Sequence, residues 1–161
     1  METAALTSAF LVGVASGGRS MTGLAAVALT TRPGTSSIYL DRAASNPGRA
    51  LLTAGAAAEL VGDKLPGTPS RLMPRSLAIR ITSGALGGAA LALRTRGNPA
   101  LGALCGGVGA VVGSYGGAYW RRWAGTERVT AFVAAVAEDL LTAATAVAAS
   151  ALAPQRQPER R

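Results

Sequence analysis

The sequence predicts an all-α, polytopic membrane helical bundle, with four transmembrane helices plus a short half-helix (or five spans) packed through Gly and Ala. Three observations carry this. First, 49% of the 161 residues are hydrophobic and only 15% are charged, against about 25% charged in soluble domains. Second, apolar runs of helical length alternate with short connectors bearing Arg and Pro. Third, Tyr115, Tyr119, Trp120 and Trp123 place four of the seven aromatic residues beside Arg121 and Arg122, the pattern of amphipathic rings at headgroup depth with cations just outside. A soluble core of this length would show charged faces at helical spacing, and long segments show none. Residues 1–153 form one helical domain; the tail 154–161, PQRQPERR, is polar and expected to be disordered.

Composition also excludes chemistries. Lys and Arg total 16 against 8 Asp and Glu, for a net charge of +8. The arginines fall between apolar runs rather than along one polar face, so the excess points to membrane topology and not to nucleic acid. There is no His, and Cys105 is alone in an apolar run, so neither a disulfide framework nor a metal pair can be assembled. No catalytic, cofactor-binding or metal-binding residue is expected. The N-terminus METAALTSAF carries Glu2 and no positive leader, so the first apolar segment is expected to be retained.

Segment A, residues 4–29, is long enough to cross a hydrocarbon core of about 30 Å, with Arg19 as its one charge. Gly13 and Gly17 make a GxxxG face, and Gly17-Gly18 weakens the helix just before Arg19. Gly13-x4-Gly18-Arg19-Ser20 also mimics a phosphate-binding loop. That loop requires a preceding buried strand, whereas here it lies inside an Ala-rich run, so a kink or interhelical contact is the better reading. The connector 30–49 carries turn signals at Arg32-Pro33-Gly34 and Asn46-Pro47-Gly48.

Segment B, from Ala50 to about Val61, would be a helix of roughly 18 Å, short of a full crossing. It is expected to be a half-helix or re-entrant element buried against protein. Glu59 and Asp63 lie four apart on one face and repel each other unless compensated by Arg19, Arg80, Lys64, a cation or a proton. Segment C, residues 76–93, repeats small residues at Gly84, Gly88 and Ala92. Segment D, residues 100–120, does so through Gly102, Gly106, Gly109, Gly113 and Gly117. These two are expected to pack as a close antiparallel hairpin, with Tyr119, Trp120 and Trp123 as interface anchors. Segment E, residues 129–152, carries Glu138-Asp139 near its middle, and Glu138, Thr142 and Thr145 form one polar stripe. A carboxylate at mid-depth costs about 3 kcal/mol on insertion scales and therefore faces protein or a wet cavity.

Charge counts set the orientation weakly. If B spans, basic residues divide 8 against 6 between the two faces; if B re-enters, they divide 9 against 5, with Arg32, Arg42, Arg49, Lys64, Arg71 and Arg75 beside Arg121, Arg122 and Arg128. The rule of positive loops inside prefers the second arrangement, four crossings plus the half-helix.

Two motifs, Gly13-x-x-x-Gly17-x-Arg19-Ser20-Met21-Thr22 and Ala58-Glu59-Leu60-Val61-x-Asp63-Lys64-Leu65-Pro66 followed by Thr68-Pro69-Ser70-Arg71, together with the Gly-rich span after them, give the chain a family likeness. From residue 11 to the end of segment E it resembles a bacterial family of small multi-pass membrane proteins known as domain of unknown function 4126. The resemblance implies a multi-pass protein of the bacterial cell membrane and leaves its function open.

These readings lead to two functional expectations. The first is a small oligomeric channel or transporter component in the lipid bilayer, with Arg19, Glu59, Asp63, Lys64, Glu138 and Asp139 as an intramembrane polar cluster. The alternative is a structural or assembly protein binding a membrane-protein partner or anionic lipid through a basic loop of Arg71, Arg75 and Arg80. An intramembrane enzyme is not expected, since the serines lack a base.

Overall fold

Seven helices built by these runs appear in the structure, a computed structural model that describes residues 2–34, 37–62, 72–126 and 130–153. They are α1 (Glu2–Gly18), α2 (Ser20–Thr30), α3 (Ile38–Ala43), α4 (Asn46–Gly62), α5 (Pro74–Arg94), α6 (Pro99–Thr126) and α7 (Ala131–Leu152). Among the described residues there is no strand. Asp63, Lys64, Arg71 and the tail 154–161 lie outside them.

The helix limits follow from local chemistry. Asn98 opens α6: its Oδ1 accepts from the Ala100 amide at 2.9 Å, and Pro99 follows where no backbone donor is needed. Thr130 caps α7 by accepting from the Val133 amide. At the end of α5 the Gly97 amide donates to the Ala92 carbonyl and the Arg96 amide to that of Leu93, a Schellman closure. Its left-handed residue is Arg96, at φ 58°, and not the glycine that follows.

Segment A is not a continuous span. Arg19 is extended, with φ −145° and ψ 118°, and α2 folds back along α1. A Cβ on Gly23 would lie 2.9 Å from the Val12 carbonyl oxygen and 2.3 Å from Ser16 Oγ, which a continuing helix could not bring together. The expected kink is thus a reversal, and α1–α2 is a helical hairpin with Arg19 at its tip.

Segment B is corrected in the opposite sense. Asn46-Pro47-Gly48 begins a helix instead of ending one: Ser45 Oγ accepts from the Gly48 amide at 3.2 Å. The helix then runs 17 residues, about 25 Å, antiparallel to α2 with no fully buried residue. Arg49 meets the end of α2 and Glu59 its start. Segment A is thus the hairpin, and B runs along its outside.

The 9-against-5 charge division fails for the same reason. Arg94 reaches Thr30 and Arg49 reaches Thr31, so the connector after α2 shares one end of the bundle with the α5–α6 turn. This is called the Arg94 end below, and the level of Arg19 the junction.

The expected Gly-rich hairpin of α5 and α6 is present, and α1 joins it as a third member. Gly106 shows how close these backbones come. A Cβ on Gly106 would sit 2.1 Å from the Gly84 carbonyl oxygen, and one on Gly13 2.0 Å from that of Gly106. Any side chain larger than hydrogen must push helices apart, so these glycines serve contact rather than turns. The core is accordingly thin. Its largest fully buried apolar side chains are Leu91 and Val12.

The outside of the bundle is apolar. Leu86, Leu104, Val108, Leu140, Leu141 and Val147 are each more than half exposed. Among the described residues three helices are long and apolar enough to cross a membrane: Pro74–Arg94, Pro99–Gly125 and Val133–Leu152. The helices α1 and α2 are each too short on their own.

Candidate functional site

Breaking a helix inside a bundle leaves backbone groups without partners. The last carbonyls of α1 carry partial negative charge, and the first amides of α2 partial positive charge. Both sets are met by side chains of opposite sign. Arg80 Nη1 donates to the carbonyls of Gly18 at 2.6 Å and Gly17 at 2.9 Å, and Ser114 Oγ adds a longer bond to Gly17 at 3.3 Å. Opposite them, Glu59 receives the start of α2. Its Oε1 accepts from the Ser20 amide at 2.8 Å and the Ser20 hydroxyl at 3.0 Å, and its Oε2 accepts from the Met21 amide at 2.9 Å.

The two capping residues are themselves an ion pair, with Arg80 Nη2 3.7 Å from Glu59 Oε1. Arg19, at the break, turns to α7. Its Nε donates to Asp139 Oδ1 at 2.7 Å and its Nη2 to the same oxygen, while Nη1 reaches the Glu59 carbonyl at 3.4 Å. Arg19 and Arg80 are 3% and 5% exposed. The junction thus gathers two guanidiniums, two carboxylates and two helix ends from α1, α2, α4, α5 and α7. Its charges alternate, which is the arrangement that makes burial of four ions tolerable.

Of the expected cluster, Arg19, Glu59 and Asp139 are brought together, and Asp63 and Lys64 lie outside the described residues. Glu138 is not part of it. It follows a different face of α7, and its Oε2 accepts from Arg121 Nε at 2.8 Å. The basic-loop assignment is corrected for Arg75 and Arg80. Arg75 is exposed in the first turn of α5, and Arg80 is buried one turn further in, as a member of the junction. A signal for this was in the sequence, because Arg80, Gly84 and Gly88 share one i, i+4 face, and that face is the packing face.

Beside the junction, α1, α6 and α7 leave a cavity of about 310 Å³. The Glu138, Thr142 and Thr145 stripe lines it, together with Trp120, Gly18 and Gly113. Of the expected interface anchors, Tyr119 and Trp123 are exposed at 67% and 42%. Trp120 also fastens α6 to α7, its indole N–H donating to the Ala134 carbonyl at 3.2 Å, and its ring lies 5.2 Å from that of Trp123. Among the described residues no three His, Cys, Asp or Glu side chains converge as metal ligands would.

Compared with known protein families, with curated proteins and with solved structures, the chain matches none.

Proposed function

We propose that the chain is an integral membrane protein that forms a translocation element for a small ion or solute, working as an oligomer. The helices α4, α5, α6 and α7 cross the bilayer and the α1–α2 hairpin re-enters it. At about 25 Å, α4 falls at the short end of spanning lengths, and the apolar side chains exposed around the bundle suit lipid and helix partners.

The observation that carries this reading is the helix break itself. Discontinuous helices whose ends meet at buried charged residues recur where membrane proteins bind and move ions, because backbone groups freed from a helix can hold a guest. Here Glu59 occupies the N-terminal amides of α2 and Arg80 the C-terminal carbonyls of α1. Movement of either side chain would expose a site of matching polarity. The thin Gly-rich bundle leaves little room for a pore in one chain, which is the ground for an oligomer.

The test is flux in proteoliposomes holding purified protein, with proton, Na⁺, K⁺, Cl⁻ and organic-cation gradients. At least one should dissipate, and Glu59→Gln and Asp139→Asn should each stop it. No dissipation of any gradient by the unaltered protein would sink the reading.

A second reading is favoured by the completeness of the junction, whose ionic demands are met within a single chain. On that reading the chain is a scaffold that binds a larger membrane complex or anionic lipid through cations such as Arg75. Co-purification of a defined complex that Arg75→Ala abolishes, with no flux, would establish it in place of transport.

A further inference from the structure

We propose that the cleft between α1, α6 and α7 binds a hydrophobic organic cation, an ammonium carrying an aromatic or alkyl body, with Glu138 as its counter-ion. The inference names a substrate class for the transport reading, and it rests on that reading for its role, though binding itself can be measured alone.

The lining decides the chemistry. A volume of about 310 Å³ lies at the small end of ligand pockets, roughly 300–1,000 Å³. Its walls are glycine, alanine, valine and leucine, apart from Thr142, Thr145, Trp120 and a single ionic group, Glu138. Glu138 is 7% exposed. A neutral apolar guest would gain nothing from a buried carboxylate, and an anion would be repelled by it. A cation with an apolar body meets both parts of the site. Trp120 adds an aromatic face suited to a quaternary or tertiary ammonium, whose attraction to an indole strengthens when water is excluded.

Glu138 already has a cationic neighbour, and its position is informative. Arg121 lies 2.8 Å away, yet its side chain is 41% exposed and is not part of the cleft lining. The guanidinium thus holds the carboxylate from the rim while the cleft side stays lined by apolar groups. An incoming ammonium exchanges with a cation that has water to return to, which is far cheaper than displacing a buried arginine such as Arg19.

Gly116 supplies a clean way to close the cleft. It is part of the lining and exposed, and a Cβ placed on it meets nothing within 4 Å, so a leucine there adds bulk at the cleft wall without striking backbone.

The experiment is calorimetric titration of the full chain in detergent with benzyltrimethylammonium. Saturable binding is expected, weakened at least tenfold by Glu138→Gln and equally by Gly116→Leu, and tightened severalfold by Arg121→Ala. Circular dichroism and gel filtration confirm folding of each variant, and Gly116→Leu keeps the test intact if Glu138→Gln does not fold. Neopentylbenzene, the uncharged isostere, should not compete. Equal competition by it, or unchanged affinity in Glu138→Gln, would mean that the cleft takes a lipid chain or an apolar helix of a second copy, and the proposal would be wrong. Absence of saturable binding would also overturn it. Binding without flux would remove the transport reading and leave the site standing; flux without binding would do the reverse.

Discussion

Two groups of buried arginines hold this bundle, and they are built differently. Both Arg80 and Arg94 project from the packing face of α5, about four helical turns apart, and both cap the C-terminus of another helix. Arg80 takes the carbonyls of Gly17 and Gly18 in α1. Arg94 takes those of Ser150 and Ala153 at the end of α7, and its Nη1 donates to Thr30 Oγ1 at 2.9 Å. At the junction each guanidinium also faces a carboxylate. Among the described residues Arg94 faces none: its bonds go to carbonyl oxygens and a hydroxyl.

The helix macrodipole, worth about half a negative charge at a C-terminus, together with direct hydrogen bonds, therefore suffices to hold a buried arginine here. Glu59 and Asp139 are not needed merely to keep Arg80 in place. They answer a separate demand, created by the reversal at Arg19: Glu59 serves the amides of α2, and Asp139 neutralises Arg19. One end is a guanidinium fastened to neutral acceptors, and the other is a network of alternating charges.

The strongest way to break this distinction is Asp139→Asn, which removes the carboxylate that the buried Arg19 meets on α7. Loss of one partner from a buried pair costs about 3–5 kcal/mol, and equilibrium unfolding in detergent should show a decrease of that order. The double variant Arg19→Met/Asp139→Leu should recover most of it, since apolar replacements of similar volume dispense with both desolvated charges. At the other end Arg94→Met should cost less, about 2–3 kcal/mol for charge-assisted bonds to neutral acceptors, and should leave any flux unchanged. Rescue of Arg94→Met by removal of some carboxylate would contradict the account, because among the described residues no carboxylate is paired with Arg94. Glu59→Gln should be milder still, about 1–2 kcal/mol, since an amide oxygen can still accept from one backbone donor. Its effect on flux should nonetheless be larger than that of Arg94→Met, and an inverted order in that comparison would remove the functional difference between the two ends.

How far the sequence foretold these regions follows from what each depends on. The close hairpin of α5 and α6 was legible because small residues every four positions define a face without reference to a partner. Membrane-grade helices were legible in α5, α6 and α7 for the same local reason. That Glu59 needs a compensating group could be inferred, since it shares a helical face with Asp63, but Arg19, Arg80, Lys64, a cation and a proton were all open as that group. What could not be read was direction. Gly17-Gly18-Arg19 marks a weak point in a helix, but whether the chain bends or reverses there depends on Arg80 and Glu59 arriving from α5 and α4 to satisfy the freed groups. The choice between Glu138 and Asp139 was hidden similarly. Adjacent residues lie about 100° apart around a helix, so one meets Arg19 and the other Arg121, and only the position of α6 and α1 around α7 says which.

The smallest effect comes from the same turn that carries Arg94. Arg96 adopts φ 58°, the left-handed conformation that a Schellman closure demands and that costs a side-chain-bearing residue about 1–2 kcal/mol. Gly97 stands one position too late to take that role. Arg96→Gly removes the clash between Cβ and the carbonyl oxygen but lets the unfolded chain roam more widely, so part of the gain is lost to entropy. A net stabilisation of about 0.5–1 kcal/mol should remain. A small rise in the unfolding midpoint would show that Arg96, unlike Arg94 two residues earlier, contributes nothing to the fastening that its strain must offset. A fall would mean that its guanidinium holds the Arg94 end as well, and the contrast drawn between the two ends would have to include it.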